Sequence, residues 1–313
     1  MIGSRDIDFA AARISGRIRR TPVVEIDGGT FAAAGRLWLK LEYMQHAGSF
    51  KIRGVFNRIL TAAERGELPP AGVITASGGN AGLAVAYAAG QLEVPAEVYV
   101  PATAPQVKVA KLAKLGARVV QVGAEYAEAY DAALTQVAST AALFCHPYDQ
   151  PELVAGHGSL GLELLEQIPG GFDTVLVAVG GGGLMAGLAA ALYGKATVVA
   201  VEPETIPTLH AALAAGHPVD ITVSGIAADS LGARRAGNIA YQVATTAGVR
   251  SVLVTDQAII DARRLLWDHY RIVVEHGTAA ALAALTSGAY RPATGERVVV
   301  LLCGANTNPS DLA

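Results

Sequence analysis

From Gly72 onward the chain repeats one pattern, a short unbroken apolar run, a polar or glycine break, then a longer stretch with helical spacing. Gly72–Ala76 is the first such run. Ser77-Gly78-Gly79-Asn80 breaks it, and Ala81–Gln91 follows with helical character. The pattern then predicts a strand over Ala96–Val100, an amphipathic lysine-bearing helix over Gln106–Leu115 and a strand over Arg118–Val122. A helix over Tyr126–Ser139 and a strand over Ala142–Cys145 complete this stretch. Apolar runs without alternation are strands covered on both faces. Helices of this length between them make right-handed crossovers and a parallel sheet.

The same grammar resumes with a strand over Asp173–Val179, a turn at Gly180–Gly183, a helix over Leu184–Tyr193 and a strand over Thr197–Val201. A last strand, Arg297–Leu302, ends in Cys303-Gly304-Ala305-Asn306, and Leu37–Tyr43 reads as an early one. Pro147–Pro169 reads as the passage between two α/β units. The expected architecture is α/β with two open, twisted parallel sheets. A smaller unit, residues 48–145, is inserted into a larger one made of residues 1–47 and 146–313.

Composition narrows the class. Apolar residues make up 52% of 313 and charged residues 16%, as expected where central strands are buried. No apolar run reaches the length of a membrane span, and the N-terminus carries early acidic residues rather than a secretory signal. The expectation is a soluble cytoplasmic protein with no membrane partner. A net charge of −3 without a basic cluster argues against nucleic acid. Cys145 and Cys303 are too few and too far apart for a structural zinc site.

Ligands of open parallel sheets bind beyond the carboxyl ends of the strands. Three loops lie there: Ser77–Ala81, Gly180–Gly183 and Cys303–Asn306. Four successive glycines before a helix present backbone N–H groups at the positive end of its dipole, which suits a phosphate. A tight turn would need one or two. The run Gly181-Gly182-Gly183-Leu184-Met185-Ala186, with Glu202 further on, also fits a dinucleotide fingerprint, so the motif alone supports a nicotinamide oxidoreductase nearly as well. Lys51 breaks the tie. It lies in Gly48-Ser49-Phe50-Lys51-Ile52-Arg53-Gly54 at the start of an expected helix, where the dipole disfavours its charge. That suits an amine that must be neutral to attack a carbonyl. Without its neighbours, Lys51 would read as a solvated surface lysine and Phe50 as core.

Ser49-Phe50-Lys51-Ile52-Arg53-Gly54 resembles the cofactor-lysine motif of the fold-type II pyridoxal-phosphate (PLP) enzymes, the tryptophan synthase β-like group that includes serine and threonine dehydratases and serine racemase. Ser77-Gly78-Gly79-Asn80-Ala81-Gly82 resembles that family's substrate loop, Gly180–Gly183 with Leu184 its phosphate loop, and Cys303-Gly304 the segment facing the pyridine nitrogen. The motifs occur in the family's order across nearly the whole chain.

The resemblance implies PLP in the cleft between two domains and a small amino-acid substrate. Lys51 would carry the cofactor and act as base, with Phe50 against the ring, Asn80 on the ring hydroxyl, and Gly180, Gly181, Gly182, Gly183 and Leu184 on the phosphate. Ser77, Gly78, Gly79, Asn80 and Ala81 would hold the substrate carboxylate. Glu202 would assist reprotonation, Gly232 would be a close-approach point to the cofactor, and Glu275 would stand behind the residues that touch it. Thr208 stands where racemase-like members place a cation-binding aspartate, so no metal is expected.

A neutral thiol at Cys303 would leave the pyridine nitrogen largely unprotonated and favour prompt β-elimination; a purely structural buried cysteine is the alternative. Gly78 stands where racemases have a second serine, and glycine has no proton to give, which also favours elimination. The expected activity is that of an ammonia-lyase acting on L-threonine or L-serine. Serine racemase and a dehydratase of a bulkier β-hydroxyamino acid are the alternatives. Family members are often dimers, so a homodimer is expected. The chain ends shortly after the Cys303 segment, and no isoleucine-sensing domain is expected.

Overall fold

The structure, a computed structural model, describes residues 2–27, 31 and 35–312. In chain order the elements are α1 (Ser4–Ile14), β1 (Val23–Ile26), β2 (Leu37–Lys40), α2 (Lys51–Glu64), β3 (Val73–Ala76), α3 (Asn80–Gln91), β4 (Ala96–Val100) and α4 (Gln106–Lys114). Then come β5 (Arg118–Gln121), α5 (Tyr126–Thr140), β6 (Leu143–Phe144), α6 (Pro151–Gln167), β7 (Thr174–Ala178), α7 (Gly183–Ala191) and β8 (Thr197–Pro203). The chain finishes with α8 (Thr208–Ala215), α9 (Ala228–Leu231), α10 (Asn238–Ala247), β9 (Arg250–Val254), α11 (Asp256–Tyr270), α12 (His276–Thr286) and β10 (Val298–Leu301).

The strands form two sheets, one ordered β5-β4-β3-β6 and the other β1-β2-β10-β7-β8-β9. The first is wholly parallel, as the alternating pattern predicts. The second is parallel except at its edge, where β1 pairs antiparallel with β2. Residues 27–36 join those two strands and are too few for a crossover of a dozen or more residues. The central strands β2, β7 and β10 are buried at every position. That explains why they read as apolar runs without alternation, Lys40 at the end of β2 being the buried exception.

The passage between the two sheets holds an element that the sequence pattern did not assign. Much of Pro147–Pro169 is the 17-residue helix α6. Its glycines let it pack against backbone. A β-carbon on Gly156 would lie 2.5 Å from the Arg53 carbonyl oxygen in α2, and one on Gly187 in α7 would lie 2.6 Å from the Gly158 amide nitrogen. Close helix approach of this kind outweighs the roughly 1 kcal/mol propensity cost of each glycine. Helix α12 makes the complementary point, since Gly277–Leu285 are all buried and it has no polar face to give it an amphipathic signature.

Beneath the cleft lies a buried charge cluster. Arg53 donates to both oxygens of Glu42 (2.6 and 2.9 Å) and to Glu163 (2.8 Å), and Lys40 also pairs with Glu163. The cluster ties β2, the turn after it, α2 and α6 together.

Candidate active site at the carboxyl edges of the two sheets

Helix α2 begins at Lys51, with Phe50 as its N-cap. This start is fixed from the other side of the cleft. The Phe50 amide donates to the Cys303 carbonyl (3.0 Å), and Ser49 bridges Gly304 as an isolated antiparallel pair. The loop after β10 is thereby hydrogen-bonded to the loop that presents Lys51. The Lys51 Nζ donates to the Pro147 carbonyl (2.6 Å) and lies 5.0 Å from the centre of the Phe50 ring. Burial pushes its pKa down to about 8. Cys303 and Glu275 oppose this shift, and burial raises the Cys303 thiol itself to about 12.

Around Lys51 the walls are Phe50, Asn80, Gly180–Met185, Tyr148, Ser230, Leu231, Glu275, Thr278 and Cys303, which bound about 520 Å³ counted out to solvent at the mouth. Residues from all three sequence-predicted loops are therefore brought together. The glycine loop leads into α7, and none of the backbone N–H groups of Gly180–Met185 has a partner among the described residues. Its carbonyls are braced. The Thr208 hydroxyl donates to the Gly180 oxygen (2.6 Å), and the Gly237 amide donates to the Gly181 oxygen (2.9 Å).

Packing explains part of the glycine run that anion binding was expected to explain. A β-carbon at Gly181 would lie 2.2 Å from the Tyr148 ring, and one at Gly183 would lie 2.5 Å from the Tyr148 carbonyl oxygen. Gly182 has φ +87°. Only glycine meets all three demands at no steric cost.

Of the substrate-loop residues Asn80 lines the cleft, and Ser77, Gly78, Gly79 and Ala81 are not among the residues that bound it. Ser77, Gly78, Gly79 and Asn80 are half-buried, and Ala81 is buried in the first turn of α3. The Ser77 Oγ accepts from the Gly79 amide (3.2 Å), which leaves the amides of Gly78, Asn80, Ala81 and Gly82 without partners among the described residues. Asn80 Nδ2 contacts both oxygens of Glu275, each at 2.9 Å. Glu275 is itself part of the cleft wall and not behind it. Burial raises its pKa, against the donors Asn80 and the Asn306 amide.

Two expected site residues are not brought to the cleft. Glu202 is fully buried and caps α8, accepting from the amides of Leu209 (2.7 Å) and His210 (2.9 Å) and from the hydroxyl of Ser251 (3.0 Å), with the Thr208 oxygen 3.1 Å away. Burial pushes its carboxyl up to about 7, and these polar neighbours oppose this. Both oxygens are engaged, so it is available neither to a substrate nor to a ribose hydroxyl. Gly232 ends α9, where a β-carbon would lie 2.3 Å from the Ala228 carbonyl oxygen. The cleft meets its neighbours Ser230 and Leu231 instead. Among the described residues no group of three or more His, Cys, Asp or Glu side chains could hold a metal, and no helix is long and apolar enough to cross a membrane.

Sequence reasoning missed Tyr148, Thr278 and Asn306. Tyr148 follows the two-residue strand β6, so the rule for strand ends could have flagged it. Thr278 places its hydroxyl 3.3 Å from the Cys303 sulfur. Asn306 donates from Nδ2 to the Asn80 Oδ1 (2.6 Å) and the Ala47 carbonyl (2.8 Å), and its amide donates to Glu275 (2.9 Å).

Residues 14–304 match the family described as pyridoxal-phosphate dependent enzyme. The chain is 32% identical over 309 residues to an L-threonine ammonia-lyase of Thermotoga maritima, covering 98% of this chain and 76% of that protein. It is 36% identical over 305 residues to a phenylserine dehydratase of Ralstonia pickettii, covering 96% and 92%. Among solved structures, maize serine racemase superposes with a TM-score of 0.91 at 29% identity, covering 99% of this chain and 95% of that one.

Proposed function

The chain belongs to the pyridoxal-phosphate dependent enzymes, and we propose that it deaminates a 3-hydroxy-L-amino acid of the threonine and serine type to a 2-keto acid and ammonia. The residues present fit the cofactor. Unpartnered amides at the start of α7 suit its phosphate, a desolvated lysine amine suits its aldehyde, and a neutral thiol lines the same cleft. Lys51 and Gly180–Leu184 would hold it, with Phe50, Asn80 and Cys303 around its ring. When bound, it supplies a sink for the electron pair left when a proton leaves the substrate's Cα.

The observation that carries the reading is the pairing of Lys51 with Cys303. Lys51 Nζ, with its pKa lowered to about 8, is neutral in roughly a tenth of molecules at pH 7, far more than an ordinary lysine, and so can accept the Cα proton. The Cys303 thiol, held neutral near 12 and contacted by Thr278, offers the ring nitrogen no negative partner. The electron pair is then passed on by expelling the β-hydroxyl, which leaves as water. The released enamine tautomerises and hydrolyses to the keto acid and ammonia. Amides at the start of α3 orient the substrate carboxylate. Gly78, on the loop that would face the substrate, provides no second proton donor, which separates this site from a racemase. Similarity to the T. maritima ammonia-lyase supports the same reaction.

On this reading the smaller unit spans residues 48–145, and residues 1–47 with 146–313 form the larger one. The family resemblance supports a homodimer, and the sequence, with no span-length apolar run and no secretory signal pattern, supports a cytoplasmic location. The test is Lys51→Ala in the PLP-supplemented protein. We predict at least about a thousandfold loss of keto-acid release from L-threonine and L-serine, the scale expected when a covalent carrier and base is removed. Near-normal turnover in that variant without added amine would sink the proposal.

A further inference from the structure

The amine at the centre of the proposed chemistry rests on a backbone atom whose direction is set by a side chain that does not bound the cleft. Lys51 Nζ donates to the Pro147 carbonyl (2.6 Å), its one hydrogen-bond acceptor among the described residues. Pro147 lies between β6 and α6, outside any helix or strand. It has no N–H to give. The amides of the next two residues, Tyr148 and Asp149, find no backbone acceptor among the described residues. Main-chain hydrogen bonds therefore leave this turn unbraced.

His146 supplies what the backbone lacks. Its Nδ1 accepts from both amides, Tyr148 at 3.1 Å and Asp149 at 2.9 Å. Donors on that nitrogen require a lone pair there, so the imidazole is neutral with its proton on Nε2. Burial lowers its pKa to about 4, with Asp149 opposing and Lys51 adding to the shift. The acceptor is thus intact near neutral pH. The rings of Tyr130, Phe144 and Tyr148 meet the imidazole edge to face, at 6.2, 6.3 and 4.6 Å, and hold its plane.

Both ends of the segment are tied down without the imidazole. Upstream, the Cys145 amide donates to the Ile74 carbonyl in β3 (2.8 Å), and the His146 amide donates to Gln150 Oε1 (3.0 Å). Downstream, the two Asp149 oxygens accept from the amides of Asn238 and Ile239 at the start of α10, at 3.0 Å each. The Tyr148 hydroxyl donates to the Arg235 carbonyl (3.2 Å), which anchors the ring that packs on the glycine loop. What the imidazole decides by itself is the middle of the turn, the carbonyl that takes the Lys51 amine.

We infer that His146 is a positioning residue for Lys51: by accepting the Tyr148 and Asp149 amides it aims the Pro147 carbonyl, which in turn aims the Lys51 amine. An acceptor that takes one N–H fixes where the nitrogen lone pair points. That direction is used twice. In attachment of the cofactor the lone pair attacks the aldehyde carbon, a C=N bond forms, and the aldehyde oxygen leaves as water with both amine protons. In turnover the free amine takes the Cα proton, the C–H electron pair stays with the substrate, and the new ammonium keeps a charge-assisted bond to Pro147. The second use rests on the elimination reading above; the first needs only the cofactor.

The experiment compares the native protein with His146→Phe, which keeps a ring among its aromatic neighbours and removes the acceptor. It also takes His146→Asn, whose Oδ1 can accept from the amides that follow it in a turn. Three quantities are measured on the full chain. Absorbance follows the rate at which protein freed of cofactor attaches pyridoxal phosphate. Equilibrium dialysis gives its affinity for pyridoxine phosphate, which has no aldehyde and reports the rest of the site. Keto-acid release from L-threonine gives kcat and KM of the loaded enzyme. His146→Phe is expected to slow attachment and to lower kcat by about tenfold each, the scale of a small misplacement of a reacting group. Its pyridoxine phosphate affinity and KM should stay within about twofold, since uniform binding is untouched. His146→Asn is expected to keep all four values within about threefold of native. Circular dichroism and the urea midpoint report folding, and His146→Leu replaces a phenylalanine variant that does not fold. An attachment rate in His146→Phe close to native overturns the inference. A parallel loss of pyridoxine phosphate affinity does so too, because His146 would then support the shape of the whole site. Equal losses in the phenylalanine and asparagine variants also overturn it, since the acceptor would not be what matters. Native protein that attaches the cofactor but releases no keto acid sinks the elimination reading alone, and the attachment rates then decide this inference.

Discussion

Asn306 holds Asn80 in place in the cleft wall. Its Nδ2 donates to Asn80 and to Ala47, and its amide donates to Glu275, so one side chain and its backbone orient two members of the cleft wall. A β-carbon on Gly48 would lie 2.8 Å from the Asn306 Oδ1, which shows how closely the two loops meet. Buried hydrogen bonds left half-made cost about 1–3 kcal/mol each. We predict that Asn306→Ala lowers kcat/KM by about tenfold and weakens cofactor binding by a similar factor, because Asn80 loses its orientation. Titration with PLP and steady-state kinetics on the same preparations check this, and values within twofold of native would remove Asn306 from the site. Lys51 and Cys303 were legible in the sequence because each sits in a motif with fixed local chemistry. Asn306 was not legible, because its partners lie 226 and 259 positions away along the chain. Glu202 misled for the same reason. A lone acid after a strand reads as a ligand until the helix that it caps is seen.

Between single residues and the whole lies the coupling of α8 to the phosphate loop. The Thr208 hydroxyl donates to the Gly180 carbonyl and lies 3.1 Å from Glu202, joining the capped start of α8 to the first residue of the loop. Thr208→Val keeps the shape and removes these contacts. A buried hydrogen bond contributes about 1 kcal/mol net. We predict a roughly fivefold rise in the cofactor dissociation constant with little change in kcat once the enzyme is loaded. Equilibrium dialysis against PLP separates the two quantities. An unchanged dissociation constant would show that the glycine loop holds its shape without Thr208. The sequence foretold the strand-turn-helix around Gly180–Gly183 because periodicity and glycine are local signals. It did not foretell α6, whose glycines serve contacts with α2 and α7 that no window along the chain contains.

At the level of the whole molecule, the buried cluster of Lys40, Glu42, Arg53 and Glu163 joins the two sheet systems under the site. Burial alone would raise the Glu163 carboxyl, but Arg53 and Lys40 hold it below its ordinary 4.5. Glu163→Ala would leave Lys40 and Arg53 buried with one carboxylate between them. Breaking a buried pair from one side costs about 3–5 kcal/mol. We predict a loss of that size in urea unfolding near neutral pH. The sign of the pH effect follows from linkage. The lowered pKa means that the unfolded chain binds the proton first, so the Glu163 contribution is present in full above 4.5 and is lost as pH falls through its folded value. The native and Glu163→Ala proteins should therefore converge in stability on acidification. A gap that stays constant from neutral pH down to acid would refute that role.

The sequence by itself determined the alternation of strands and helices, the lysine at the start of α2, the glycine loop and the thiol after β10, because hydrophobic period, glycine content and motif chemistry are properties of neighbouring residues. Only the tertiary structure decided which of these meet, which carboxylate faces the cleft and which caps a helix, and that Tyr148 lines the cleft beside the glycine loop. Those outcomes depend on contacts between segments far apart in sequence, and on the single packing of two sheets that satisfies their buried charges and unpaired amides together.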